Sequence, residues 1–330
     1  MKKVTIADVA RAAGVSRTTV SYVLNGKGRI STDVVERVRA VMRQTGYEPR
    51  TRSALPAHDA TRGITAGAVA LALPAADIDG LRASWGGEYV DCILRGCETK
   101  LREHGLKMVI TRLLQDGQPH GVDERRIDGL IIAAGIAPET CVPVVRLFDS
   151  RVPANTDVVD ADDYHIGLMA AEHVIEKRCR RVVFASPQRA HVAFSIRREV
   201  FAGRLTEAGL EVRLAEYDEN TGATGPRDEY VLRAVQKAWR KPDAVFIPGS
   251  DASVLALYTG MLASGVRPGR DVEFVGCMSS DVHRRALRSA ACIDIRHEDQ
   301  ARMAVDVLLW RLGNRAAPPA RVLVEPRMLR

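Results

Sequence analysis

Gly14-Val15-Ser16-Arg17-Thr18-Thr19-Val20-Ser21-Tyr22-Val23-Leu24-Asn25 is the stretch on which the reading of this 330-residue chain turns. It reads as a turn feeding a short helix. Ser16 is placed to cap that helix, and Val15 to face Val20 as a hydrophobic staple. Val20, Val23 and Leu24 fall on one apolar face; Arg17, Thr18, Ser21, Tyr22 and Asn25 crowd the other. So short a helix buries little by itself. Polar groups of this kind on a small rigid support suit the edges of bases in a DNA major groove.

The flanks supply the support. Thr5 and Asp8 form a capping box and Val4 and Val9 a staple, so a first helix opens at Thr5, with Ile6, Val9, Ala10 and Ala13 inward. Gly14 closes it, because glycine tolerates the left-handed turn. Gly26-Lys27-Gly28 ends the second helix. Ser31 caps a third, with Ile30 and Val35 as its staple, Val34, Val38, Val41 and Met42 inward, and Gly46 at its end. Three capped helices, the first two joined by a tight glycine turn, describe a helix-turn-helix unit. The charge agrees. Residues 1–62 hold twelve Lys/Arg against five Asp/Glu, which accounts for the whole net charge of +7, and the remainder carries 36 of each sign. A polyanion-binding module joined to a neutral body segregates charge in this way.

From Glu48 to Gly63 the chain is polar and punctuated by Pro49, Pro56 and Gly63, as a linker is. Beyond it, apolar runs alternate with amphipathic helices. The strands read at Ala68–Leu73, Met108–Ile110, Gly129–Ala133, Val142–Phe148, Arg181–Ala185, near Val212, Ala244–Ile247, Glu273–Gly276, Ile293–Ile295 and Val322–Val324. Helices read through Tyr89–Leu101, Gly167–Arg178, Ile196–Ala208, Tyr230–Ala238, Val254–Ala263 and Val305–Leu312. This alternation predicts a parallel α/β body, and its length predicts two lobes. Six scattered cysteines without a Cys-x-x-Cys pair, and no Cys/His cluster, argue against disulfides and zinc. No apolar h-region follows the N-terminus and no apolar run is long enough to span a membrane, so a cytoplasmic, nucleoid-associated protein is expected. Neither nucleophile nor phosphate-loop spacing surrounds Ser186 or His191, and Asp162-Asp163 lacks a partner cluster. No enzyme, cofactor or metal is expected.

Val4-Thr5-Ile6-Ala7-Asp8-Val9-Ala10, Gly14-Val15-Ser16, Thr19-Val20-Ser21, Leu24-Asn25 and Gly46-Tyr47-x-Pro49 together resemble the headpiece of the lac-repressor (LacI/GalR-type) family, without a gap. Ala171-Glu172-His173-Val174, Ala208-Gly209-Leu210, Gly249-Ser250-Asp251 and Phe274-Val275-Gly276 resemble that family's periplasmic-binding-protein-like (type I) effector domain. The resemblance implies a three-helix headpiece over 1–48, a hinge over 49–62 and a two-lobed effector-binding and dimerisation domain over 63–330. It divides the lobes into 63–163 plus 293–320, and 164–292 plus 321–330. By the same resemblance Arg17, Thr18 and Tyr22 read bases, while Thr5, Ser16, Thr19, Ser21, Asn25, Arg29 and Ser31 face phosphates. Arg17 can fork onto guanine, whereas the phenol of Tyr22 makes one hydrogen bond at most or covers a thymine methyl.

Two regions depart from the family. The hinge reads Tyr47-Glu48-Pro49-Arg50-Thr51-Arg52-Ser53-Ala54-Leu55-Pro56, so Leu55 stands one place early and Pro56 removes a helical hydrogen bond. Either Leu55 or Pro56 wedges the minor groove, or Arg50 and Arg52 hold the backbone electrostatically. In the effector cleft Arg197 matches the family's ligand-binding Arg, but Val200 replaces the usual Gly. Asp251 matches an Asp, Ser250 replaces an Asn, and Cys277-Met278-Ser279 replace an aromatic and two acidic or amide residues. Asp149 stands near a further acid and Trp85 is offered as a stacking platform. The expected effector set is Trp85, Asp149, Arg197, Ser250, Asp251 and Met278, with an apolar or anionic ligand favoured over a simple sugar. The segment from Met108 to Gly129 is short, so that lobe is trimmed. The expected partners are an operator DNA, a small-molecule effector and a second copy of the chain, with no membrane. A constitutive DNA-binding protein, whose large domain only dimerises or binds a protein, is the alternative. A solute-binding protein would need a signal peptide and no basic headpiece.

Overall fold

The protein's structure, a computed structural model, describes residues 6–16, 19–20, 32–45, 63–73, 87–114, 118–133, 138–148, 156–217, 227–239, 241–249, 251–278, 287 and 290–329. The chain divides into two compact units, 1–58 and 59–330.

In the first unit, α1 (Ile6–Ala13) packs against α2 (Thr32–Thr45). Val9, Ala10, Ala13, Val20 and Val38 form the core, with Val15, Val34, Val41 and Met42 packed on it, as the apolar spacing predicts. Gly14 has φ 65°. The Val15 N–H donates to the Ala10 carbonyl at 3.0 Å and the Gly14 N–H to the Arg11 carbonyl at 3.3 Å. Those are the paired bonds of a helix end that needs a left-handed residue. Ser16 Oγ then accepts the Thr19 N–H at 3.0 Å, the bond of an N-cap. The expected contributions of Val23 and Leu24 lie outside the described residues.

The second unit carries two six-stranded sheets. The first takes β1 (Ala68–Leu73), β2 (Lys107–Arg112), β3 (Gly129–Ala133), β4 (Val144–Leu147), β5 (Asp157–Ala161) and β11 (Arg321–Val324) in the order β2-β1-β3-β4-β5-β11. All its pairs are parallel. The second takes β6 (Arg181–Ser186), β7 (Glu211–Glu216), β8 (Ala244–Ile247), β9 (Glu273–Met278), β10 (Ala291–Asp294) and β12 (Arg327–Leu329) in the order β7-β6-β8-β9-β10-β12. Only β12 in that sheet runs antiparallel, to β10. Every residue of β1, β3 and β8 is buried. That is why these strands read as unbroken apolar runs and not as alternating ones.

Among the described residues six helices accompany the sheets: α3 (Gly87–Glu103), α4 (Asp163–Glu176), α5 (Val192–Glu207), α6 (Arg227–Ala238), α7 (Asp251–Ala263) and α8 (His297–Gly313). Val90, Ile93, Cys97 and Leu101 of α3 meet Ala301, Ala304, Val305 and Leu308 of α8 over one face of the first sheet. Between β2 and β3 the described residues hold only a single 3-10 turn, Glu124–Arg126, in place of a helix. The chain enters β1 through a carboxylate clamp. Buried Asp128 accepts the N–H groups of Thr65 at 2.5 Å, Ala66 at 2.8 Å, Gly67 at 2.7 Å and Ala68 at 3.2 Å.

Several boundaries differ from the expectation. Strand β5 was not anticipated, because Asp157 and Asp160 interrupt its apolar pattern. Asp157 is nonetheless buried, since Arg311 of α8 reaches it with Nε at 2.6 Å and Nη2 at 2.7 Å. Helix α4 starts at Asp163, not Gly167, with Asp162 as its cap. Helix α8 starts at His297, well before Val305, after Arg296 turns left-handed at φ 61° without a side-chain cap. The lobe division is corrected too. β11 extends the first sheet on β5, so 321–324 join the first lobe, whereas β10 keeps 293 and 294 in the second. The chain therefore crosses between lobes after β5, after β10 and after β11.

Candidate functional site

The headpiece offers Ser16 and Thr19 just after the Gly14 turn. Their hydroxyl oxygens lie 2.9 Å apart. Ser16 Oγ accepts the Thr19 N–H, the bond of an N-cap. Thr5, Arg17, Thr18, Ser21, Tyr22, Asn25, Arg29, Ser31, Arg50, Arg52, Leu55 and Pro56 lie outside the described residues.

The second candidate site is built around Arg197. Arg197 of α5 is 4% exposed. Its Nε donates to Asp163 Oδ1 at 2.8 Å, Nη2 stands 2.6 Å from the same oxygen, and Nη1 donates to the Pro248 carbonyl. The Phe194 ring lies 5.8 Å from the guanidinium carbon. The helix carrying Arg197 can come this close because Gly167 of α4 has no side chain. A Cβ there would stand 2.6 Å from the Arg197 carbonyl and 3.0 Å from Val200 Cβ. Val200, in place of the family's Gly, thus fits against a glycine on the neighbouring helix. Asp251 opens α7 in the second lobe, and its charge helps raise the pKa of Cys92 on α3 in the first, after burial as the main cause. Arg197 and Asp251 both act on the buried Cys277 thiol, so they share one neighbourhood.

Met278 is not. At 1% exposure it packs in the core with Val254, Leu257 and Leu287, because alternation along β9 turns it away from the face of Cys277. Trp85, Asp149 and Ser250 lie outside the described residues.

Near Arg197 stand residues that sequence reasoning passed over. Tyr89, Phe148 and His297 form a ring cluster, with centroids 4.5 Å apart for Tyr89–His297, 5.1 Å for Tyr89–Phe148 and 5.3 Å for Phe148–His297. Phe148 sits at φ 60°, a left-handed conformation rare for a bulky residue. Burial, and then the Arg197 charge, push the His297 imidazole down to about 3, so it is neutral. Burial, and then the neighbouring Asp163, push the Asp160 carboxyl up to about 7. The sequence marks Tyr89 only as part of a helix and Asp162-Asp163 only as a pair without a partner cluster. The Asp-rich run 157–163 was the signal, since four acids in seven residues around a strand need buried partners.

Residues 5–50 match the family model "Bacterial regulatory proteins, lacI family", and residues 171–330 match "Periplasmic binding protein-like domain". The chain is 24% identical over 329 residues to the HTH-type transcriptional repressor PurR of Haemophilus influenzae (strain PittEE), covering 94% of this chain and 92% of that one. Its fold is similar to that of the transcriptional regulator CelR in complex with cellobiose, with TM-score 0.63, 23% identity and 99% of both chains covered. It is also similar to the lac repressor dimer bound to operator and an anti-inducer, with TM-score 0.62, 19% identity, 100% of this chain and 98% of that one.

Proposed function

This chain belongs to the LacI family of bacterial regulatory proteins and is a DNA-binding transcriptional regulator, and from that premise we propose that it is a cytoplasmic repressor binding a pseudo-palindromic operator as a homodimer. Arg17, Thr18 and Tyr22 read bases on each half-site. Thr5, Ser16, Thr19, Ser21, Asn25, Arg29 and Ser31 fix register on the phosphates. The observation that carries the reading is the Ser16 cap on the Thr19 N–H beside the Val9–Val20–Val38 core, in the segment that holds the chain's entire net charge. At the hinge, Arg50 and Arg52 neutralise phosphates and Leu55 or Pro56 inserts into the minor groove.

A small molecule held between the lobes biases their closure and so the spacing of the two headpieces. Arg197 and Asp251 line that site. The test is selection of genomic fragments on the purified full-length protein. Enrichment of one sequence with two-fold symmetry is expected, and enrichment without a common sequence would overturn the reading. One observation favours a second reading, in which the large domain is constitutive. The Arg197 donors already have protein acceptors in Asp163 and Pro248.

A further inference from the structure

Residues 64–67 belong to no helix or strand, so their N–H groups have no ladder of their own to join. Asp128, buried just ahead of β3, takes those of 65–67 together with the first of β1. Oδ1 accepts from Thr65 at 2.5 Å and Ala66 at 2.8 Å, and Oδ2 from Gly67 at 2.7 Å and Ala68 at 3.2 Å. The Thr65 hydroxyl is a further donor at 3.1 Å, and the Asp128 N–H returns a bond to the Ala68 carbonyl at 2.7 Å. Gly67, at φ 69°, presents its carbonyl to the Lys107 N–H at 3.0 Å. The chain is held a second time at Gly63. With φ 96°, it lies so close to the end of α8 that a Cβ would stand 2.7 Å from the Leu312 carbonyl oxygen. Ile64, between the two holds, packs on the core of the first sheet.

Each of these holds comes from the first lobe: Lys107 from β2, Asp128 from the approach to β3, and Leu312 from α8. A carboxylate that gathers successive backbone N–H groups makes charge-assisted bonds and fixes the dihedrals between them. Residues 1–62, with the chain's whole net charge, are joined to the body at this point. We propose that Asp128 is a positioning residue for operator binding: with Gly63 it fixes where the linker leaves the first lobe, and so sets the half-site separation that two headpieces accept. This rests on the homodimer reading above and deepens it. Two modules on tethers bind a paired site best when the span of the tethers matches the separation. Released from Asp128, residues 63–67 join the linker and extend its reach by up to about 17 Å, which is about five base pairs of duplex. Base reading within a half-site is untouched, because no part of the seat belongs to the headpiece unit.

The selected half-site, built in pairs whose separation changes in single base-pair steps, tests this on the full-length protein by anisotropy. The parent should keep one preferred separation and lose at least about tenfold in affinity within about two base pairs of it. Asp128→Asn keeps the shape of the side chain but turns an amide NH2 toward backbone donors, and its melting curve reports whether it folds. The folded variant should flatten that loss to under about threefold, with affinity for a single half-site unchanged. Gly63→Ala, which must lift away from Leu312, should flatten it too. A merely structural role would lower affinity equally at every separation and leave the profile sharp. Folded variants with the parent's sharp profile would overturn the assignment and leave the operator reading standing. A flat profile in the parent would also overturn it, and if paired half-sites bind no better than single ones the homodimer reading falls as well. Hydrogen exchange of the parent should show the amides of 65–68 protected as a group, a readout that stands if neither variant folds. Exchange there as fast as in exposed chain would overturn the assignment.

Discussion

Asp163→Asn is the sharpest perturbation of the cleft. The carboxylate lies 2.8 Å from Arg197 Nε and 2.6 Å from Nη2, and both side chains are nearly inaccessible. The amide keeps one acceptor but removes the charge, leaving the buried guanidinium without its paired carboxylate. Breaking a buried pair in this way costs about 3–5 kcal/mol, against a typical total stability of about 5–15 kcal/mol. For a unit of this size that is a fall in Tm of about 6–20 °C, at about 2–4 °C per kcal/mol. Scanning calorimetry of the full-length protein at low salt measures it. Formate should then act as a ligand for the variant alone, recovering about 2.7 kcal/mol at a hundred times its dissociation constant. Replacing both partners by apolar residues, Asp163→Leu with Arg197→Met, should lose far less than the single change. A single variant that melts within about 3 °C of the parent at low salt, with no response to formate, would refute the reasoning, because a loss of that size is under about 1.5 kcal/mol.

Three further outcomes follow from local geometry. Ser16→Ala removes the acceptor for the Thr19 N–H and should destabilise the headpiece by about 1 kcal/mol, read from its melting by circular dichroism; no change would mean the cap contributes nothing. Asp160 has a folded pKa of about 7, above its unfolded value, so its contribution is complete below about pH 4 and is lost as pH rises through 7. Asp160→Asn should therefore gain on the parent by up to about 4 kcal/mol between those limits, and parallel denaturation curves at pH 5 and pH 8 would contradict this. His297 has the opposite sign. Its folded pKa near 3 lies below the unfolded one, so its contribution is present above about pH 6.5 and is lost as pH falls through the folded value, a loss that His297→Phe should abolish in acid titrations of stability.

The sequence carried much of the fold because its local signals agree. Gly14, Ser16 and the spacing of Val9, Ala13, Val20 and Val38 each point to the same headpiece, and the structure has those bonds and that core. Continuous apolar runs identified β1, β3, β6 and β8 for the same reason. What was not legible depended on partners distant in the chain. β5 hid behind two aspartates whose burial is compensated by Arg311, 154 residues on. The start of α8 hid because Arg296 turns the chain left-handed without a capping side chain. Arg197 and Asp251 were singled out by their place in a family pattern. Asp160, Asp163 and His297 were missed, because charge and burial there come from elements that meet only after folding. Met278 was misplaced for a simpler cause: one step along a strand reverses the face.

Anisotropy of the full-length protein on its selected site and on a scrambled duplex, across a salt series, tests most directly whether the basic headpiece binds DNA in a sequence-specific way. If six to ten phosphates are neutralised, affinity for both should fall about a thousandfold to a hundred-thousandfold between about 50 and 200 mM salt, with the selected site tighter throughout. Affinity that is flat in salt, or equal on the two duplexes, would contradict it.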